Sequence, residues 1–146
     1  MVDHEELFRK TLEIHNGLHW DRLGEIFTED FVEEYPQSGE VFRGLEQARG
    51  IRSAYPGLAA GNLDEETARL AQSEEQWVVS PMFAPVQVQG SGATGTTILR
   101  VRYPNGERWW LVMQYEVRGD RICHATDWFA PEFPAPDWRA PFRDAP

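Results

Sequence analysis

The sequence has a single cysteine, Cys123, and no run of 18 apolar residues. One thiol closes no disulfide within a chain, which fits a reducing cytoplasm. A missing apolar run excludes a membrane-spanning helix. The N-terminus, Met1 to Glu6, opens with acids and lacks the apolar segment of a secretory signal. Bases are scarce as well, 14 against 24 acids, for a formal net charge of −10. A field of that sign repels phosphate backbones and anionic lipid surfaces, so neither nucleic acid nor membrane is an expected partner. The same charge keeps a small cytoplasmic protein soluble. Repeats and low-complexity runs are absent. No glycine cluster leads from a strand into a helix, so there is no phosphate loop or dinucleotide fingerprint, and no cofactor is expected.

What is present suits one core. The 146 residues are 41% hydrophobic and 12% aromatic, enough for a single domain over residues 1–130. Residues 131–146 form a proline-rich tail, too irregular for a strand or a helix throughout. It is expected to run over the surface, with Trp138 or Phe142 as an anchor.

The first third reads helical. Asp3 and Glu6 resemble a capping box. Leu7, Thr11, Ile14 and Leu18 recur at helical spacing, and Asn16-Gly17 marks a break. A second helix is expected with Trp20, Leu23, Ile26 and Phe27 on one face. Phe31 to Tyr35 reads as a short strand stopped by Pro36. Gly39 to Gly44 reads as a turn and an extended piece. A third helix carries Leu45, Ala48, Ile51 and Tyr55, ended by Pro56-Gly57.

The remainder reads as strands. Leu63 to Leu70 is a weak candidate. Trp77 to Val88 is better, with Val86 and Val88 alternating with Gln87 and Gln89. A turn at Gly90-Ser91-Gly92 follows. Thr96 to Tyr103, Glu107 to Val117 and Arg121 to Phe129 form the clearest sheet. The Pro104-Asn105-Gly106 turn suits a three-residue hairpin that pairs Tyr103 with Glu107. Leu99 and Val101 then lie beside Trp109, Leu111 and Met113. Arg100, Arg102, Arg108, Trp110 and Gln114 take the other face. For the next hairpin a three-residue loop, Arg118-Gly119-Asp120, is favoured. It sets Met113 against Ala125 and Leu111 against Asp127. A two-residue turn at Gly119-Asp120 would send Asp127 to the opposite face.

Three helices before a long antiparallel sheet suggest an α+β fold. Several segments narrow this. They are Trp20-Asp21-Arg22-Leu23, Phe27 to Phe31, Gly39 to Gly44, Tyr55-Pro56-Gly57, Tyr103 to Gly106 and Thr126 to Pro131. In that order and spacing they resemble the SnoaL-like, polyketide-cyclase-like members of the nuclear-transport-factor-2-like superfamily. The resemblance implies a cone-like curved sheet wrapped around N-terminal helices, as in cystatin-like folds, with a pocket inside. It also implies a homodimer formed through the outer sheet face, where Trp110, Val112 and Trp128 fall. The superfamily holds cyclases, isomerases, epoxide hydrolases, dehydratases and binding proteins, so the fold alone does not decide the activity.

Asp127 is the leading candidate for chemistry. It is expected on the apolar face with Leu99, Val101, Leu111, Met113, Cys123, Ala125 and Phe129. A carboxyl there loses its hydration and holds its proton to higher pH, which suits a general acid or base. The resemblance implies the same role, since SnoaL-like cyclases use an aspartate on the last strand. Tyr35, Tyr55 and Tyr115 offer hydroxyls to a ligand or aromatic rings to the core. Trp20, Trp109, Met113 and Phe129 are expected as walls, with Phe83. His15 is expected to line the pocket or to pair with Asp127. His15 and His19 are four apart, but Gly17 breaks the helix between them and no acidic ligand accompanies them, so no metal is expected. His124 should face outward.

Two branches of the superfamily fit poorly. The isomerase pattern would place its acids at Tyr35 and Met113 and its tyrosine at Thr11, and all three positions differ. The epoxide-hydrolase pattern needs two acids and an arginine together, whereas only Asp127 is identified as inward and Arg100 faces outward. Three readings therefore stand. The first is a cofactor-independent cyclase, isomerase or dehydratase, in which Asp127 moves a proton on an apolar carbonyl compound. The second is a protein that binds a small apolar or aromatic ligand without turnover. The third is a structural dimer with a filled core.

Overall fold

The structure, a computed structural model, describes residues 1–54, 83–102 and 106–144. In chain order it contains α1 (His4–Asn16), a 3-10 helix (Trp20–Glu25), β1 (Phe27–Tyr35), β2 (Glu40–Arg43) and α2 (Gly44–Ser53). These are followed by β3 (Phe83–Ser91), β4 (Thr94–Arg102), β5 (Arg108–Arg118), β6 (Arg121–Pro131) and a second 3-10 helix (Asp137–Phe142). The architecture is α+β, with the N-terminal helices packed on a curved six-stranded sheet. Tyr55, the Leu63 to Leu70 segment and the start of the Trp77 to Val88 segment lie outside the described residues. Among the described residues, no helix is long and apolar enough to cross a membrane.

Local chemistry explains where the helices begin and end. The Asp3 carboxylate accepts a hydrogen bond from the Glu6 amide at 3.0 Å and opens α1. Leu7, Phe8, Thr11 and Ile14 form its buried face. Gly17 closes it, and Leu18 turns the chain through a left-handed conformation at φ 56°. The expected second helix is shorter than its apolar spacing suggested. It is one 3-10 segment ending at Glu25, and Phe27 already belongs to β1. Ile26, Phe27, Thr28 and Phe31 are aromatic or β-branched, and such residues favour an extended backbone.

The strand order is β2-β1-β6-β5-β4-β3. All neighbours are antiparallel except β1 and β6, which run parallel. That pair corrects the expectation of a purely antiparallel sheet. Much of the chain separates β1 from β6, so no tight turn dictates their direction. Phe27, Phe31, Ile14, Leu23, Ile26 and Ile122 fill the core between helices and sheet. The Phe27 and Phe31 rings stack at 4.0 Å.

The β4–β5 register follows the expected hairpin, with Val101 opposite Trp109, Leu99 opposite Leu111 and Gly106 at φ 86°. Leu99, Val101, Leu111 and Met113 are buried, while Arg100 turns outward onto Trp110 and Glu132. In β3 the register shifts between Pro85 and Gln87. Val86 is therefore exposed instead of sharing a face with Val88. Proline within a sheet is tolerated at such bulges and on edge strands.

The last hairpin differs from the expected one in a way that matters. Arg118 pairs with Arg121 and Val117 with Ile122, so the loop is the two-residue Gly119-Asp120 turn. Continued unchanged, that register would set Asp127 opposite Val112 on the outer face. It does not continue. Cys123 is an extra residue between Ile122 and His124, and beyond it Glu116 pairs with His124 and Met113 with Asp127. A bulge of this kind exchanges the faces of every later residue. Ile122, Ala125 and Asp127 are all buried as a result. Cys123 itself is half-buried and does not join the apolar face. His124 faces outward, 2.7 Å from Glu34.

Tyr115 is buried with its ring against Gly95, and its hydroxyl is hydrogen-bonded to His4 at 2.8 Å. A Cβ at position 95 would collide with that ring. Gly95→Ala should therefore lower stability by about 1–3 kcal/mol, the usual range for overpacking. Thermal unfolding checks this, and an unchanged midpoint would mean that the ring moves aside freely.

The tail leaves β6 beside β5, where the Glu132 amide donates to the Arg108 carbonyl at 3.0 Å. The expected anchoring is not met. Trp138 is 71% exposed and Phe142 86%.

Candidate functional site

A cavity of about 470 Å³ opens between α1, α2 and the inner sheet face. Phe8, Leu12 and His15 border it from α1, and Ile51 and Arg52 from α2. Trp20, Phe27 and Phe83 close one side. Leu99, Trp109, Leu111, Met113 and Phe129 form the sheet wall. A site of this size with mostly apolar walls and few polar groups suits a small organic molecule.

Asp127 sits in that wall, 5% exposed, with Oδ1 buried and no hydrogen-bond partner. Burial raises its pKa well above the ordinary carboxylate value, and the neighbouring Glu33 charge raises it further. Arg52 opposes both without cancelling them. Burial therefore favours the protonated form of the carboxyl that faces the cavity.

Behind it lies a buried ion pair. Arg52 Nη2 donates to Glu33 Oε2 at 2.6 Å, with the two side chains 13% and 1% exposed. The other Glu33 oxygen accepts from the Tyr35 hydroxyl at 3.0 Å. Arg52 Nη1 donates to the Ala48 carbonyl at 3.0 Å, and Nε donates to His15 Nε2 at 2.9 Å. His15 Nδ1 in turn donates to the Thr11 carbonyl at 2.7 Å. With one ring nitrogen donating and the other accepting, the imidazole is neutral. Burial and the adjacent Arg52 charge lower its pKa to about 3, against the pull of the Thr11 carbonyl. Burial and Glu33 push the Tyr35 hydroxyl far up. Burial disfavours the Arg52 charge, but Glu33 outweighs it and holds the guanidinium protonated.

Of the residues singled out from sequence, Asp127, Tyr35, His15, Trp20, Trp109, Met113 and Phe129 all border the cavity. Tyr115 does not, because its hydroxyl turns to His4 at the far end of β5. His15 pairs with Arg52 and the Thr11 carbonyl in place of Asp127. Sequence reasoning missed Glu33 and Arg52. Strand periodicity carries the signal for Glu33, since an inward Tyr35 implies an inward Glu33 two residues earlier. Arg52 follows Ile51 and lies one turn beyond Ala48 on the apolar side of α2, where a base reads as solvated. The second acid and the arginine that the sequence seemed to lack are thus present. Thr11, Tyr35 and Met113, the positions that depart from the isomerase pattern, all stand in the cavity wall. Among the described residues, no three His, Cys, Asp or Glu side chains cluster to hold a metal.

No protein-family model matches the sequence, and no curated protein matches it. Solved structures do match in fold. A nuclear-transport-factor-2-like protein of unknown function from Burkholderia xenovorans is 24% identical, over 97% of both chains, with a TM-score of 0.68. A putative ketosteroid isomerase from Kribbella flavida is 18% identical, over 99% of this chain and 93% of its own, with a TM-score of 0.70. A hypothetical protein with a ketosteroid-isomerase-like fold from Catenulispora acidiphila, in complex with trimethylamine, is 15% identical. It matches over 88% of both chains, with a TM-score of 0.59. The chain therefore has the nuclear-transport-factor-2-like fold, and at these identities the likeness speaks to fold alone.

Proposed function

We propose that the protein binds a small, largely apolar molecule in its cavity and that Asp127 acts on it as a general acid. One observation carries this reading: a buried carboxyl with an unpartnered oxygen opens into an apolar chamber. A burial of that kind costs stability unless a ligand group completes it. An acceptor oxygen on the ligand, a carbonyl above all, completes it by taking the proton or sharing it. The Asp127 carboxylate left after transfer recovers a proton from a neighbouring carbon. Cyclisation, isomerisation and dehydration all balance in this way, with no cofactor.

The joint presence of Glu33, Arg52 and Asp127 suggests a second reading, the hydration of an epoxide. That reaction needs a base to activate water. Both Glu33 oxygens are engaged, by Arg52 and Tyr35, and His15 has its free lone pair occupied by Arg52. The acid-first reading is favoured for that reason. A homodimer through Trp110, Val112 and Trp128 belongs to the same proposal. Trp128 is 41% exposed at the centre of that face, and Trp128→Arg should shift the sedimenting species from dimer to monomer.

Cyclohexyl methyl ketone tests the acid. Asp127→Leu should weaken its binding by about tenfold, the value of one hydrogen bond in a dry site. Asp127→Asn keeps a donor and should bind nearly normally. For any substrate found by screening, Asp127→Asn should lower kcat by about 10²-fold or more. Ketone binding unaffected by Asp127→Leu would remove Asp127 from the site.

A further inference from the structure

We propose that Arg52 is a second anchor of the cavity, and that the ligand meeting both anchors is an uncharged apolar molecule with two oxygens, a diketone or a hydroxy ketone. This rests on the reading of Asp127 as the proton donor of the cavity and goes on to name what holds the other oxygen of the same molecule.

The donors of Arg52 carry the inference. A guanidinium has five N–H groups, one on Nε and two on each Nη. Nε donates to His15 Nε2 at 2.9 Å, Nη1 to the Ala48 carbonyl at 3.0 Å and Nη2 to Glu33 Oε2 at 2.6 Å. One N–H on Nη1 and one on Nη2 are left without an acceptor among the described residues. Arg52 is also a wall residue of the cavity, with its side chain 13% exposed. A donor kept from bulk water calls for an acceptor, and the cavity is where another molecule can bring one. Asp127 is not that acceptor, since its Oδ1 is itself unpartnered and the two side chains meet only through charge. They stand as two separate polar points in a mostly apolar wall.

The surroundings of Arg52 fix its position. Three hydrogen bonds hold the guanidinium, and its central carbon lies 5.2 Å from the centre of the Phe27 ring. Donors held in place beforehand lose little freedom when a ligand arrives. Glu33 decides the kind of oxygen that suits them. It already balances the Arg52 charge and is itself buried. A ligand carboxylate would lie close to that buried carboxylate and repel it. A carbonyl oxygen accepts from the charged donor and brings no charge of its own. A ketone with one oxygen meets one anchor and leaves the other bare. A second oxygen on the same skeleton meets both.

The arrangement also serves the chemistry. When a carbon beside the carbonyl held by Arg52 loses its proton to the Asp127 carboxylate, the C–H electron pair moves toward the carbonyl and charge gathers on its oxygen. The Arg52 N–H groups meet that charge.

The experiment uses four probes on one skeleton: butylcyclohexane, cyclohexyl propyl ketone, and the α-diketone and β-diketone that carry a second carbonyl on the same chain. Titration calorimetry near neutral pH reads their affinities. The better-fitting diketone should bind about tenfold more tightly than the monoketone, although its second carbonyl costs more to desolvate. Arg52→Lys keeps a cation for Glu33 but lacks the planar fork and its spare donors. It should abolish the diketone advantage and leave monoketone binding in place. The double variant Glu33→Met/Arg52→Met, which carries neither charge, should do the same and guards against a misfolded single variant. Asp127→Leu should weaken the monoketone and both diketones alike. Diketones that bind no better than the monoketone, or an advantage that survives both Arg52 variants, overturn the assignment of Arg52 and leave Asp127 as anchor. If no ketone exceeds the hydrocarbon, both readings fall together.

Discussion

Arg52→Met should destabilise the fold by about 3–5 kcal/mol, the range for removing one partner of a buried ion pair. Glu33 is fully buried, and Arg52 is the cation that meets it. Without Arg52 the carboxylate keeps a single hydrogen bond, from Tyr35. Glu33→Met should cost a similar amount by stranding the guanidinium. The double variant, with methionine at both positions, should recover most of the loss, because two apolar side chains of similar volume replace two charges. Urea unfolding of the four proteins measures the cycle. Additive losses in the double variant would show that each residue acts through packing alone.

The second large effect is on the pH dependence of stability, and two buried groups pull it in opposite directions. His15 stays neutral in the native state down to about pH 3, whereas its ordinary value is 6.5. Unfolding therefore takes up a proton between those values, and stability from His15 is lost as pH falls through that window. Asp127 stays protonated in the native state well above its ordinary 3.8. Unfolding releases that proton, so stability from Asp127 declines as pH rises above that value. Each slope approaches about 1.4 kcal/mol per pH unit. In the pH range just above 3.8, which both windows share, the two slopes oppose one another. Asp127→Asn should then gain stability over the parent with rising pH at about that rate. His15→Gln should lose ground to the parent over the same range, its amide oxygen still accepting from Arg52. Parallel curves for parent and Asp127→Asn would mean that Asp127 ionises in the native protein, and the general-acid reading would fail with it.

Both effects come from residues that differ in how far the sequence announced them. Local rules set α1, because Asp3 satisfies the amide at Glu6 and the apolar residues follow the helical period. They also set the β4–β5 hairpin, where a glycine at positive φ and two alternating strands admit one register. Asp127 reaches the inner face by a different register from the one its hairpin sequence suggests. The turn before it has two residues, and Cys123, bulging from β6, restores the face that the turn alone would have reversed. No local preference of cysteine marks a bulge, since the extra residue is placed by what β5 and β1 require of β6. Glu33 and Arg52 were missed for a related reason. Each reads as solvated in its own segment, and their 2.6 Å contact exists only because α2 packs across β1.

By itself the amino-acid sequence determined the order of helices and strands, the α+β class and the inventory of acids and aromatics available to a pocket. These depend on neighbours a few residues apart, whose geometry the backbone period dictates. Tertiary structure alone decided the parallel β1–β6 pairing, the bulge that turns Asp127 inward, and the pairing of Arg52 with Glu33. Those are contacts between distant segments, and their energies depend on burial and on three-dimensional charge separation that no periodicity along the chain encodes.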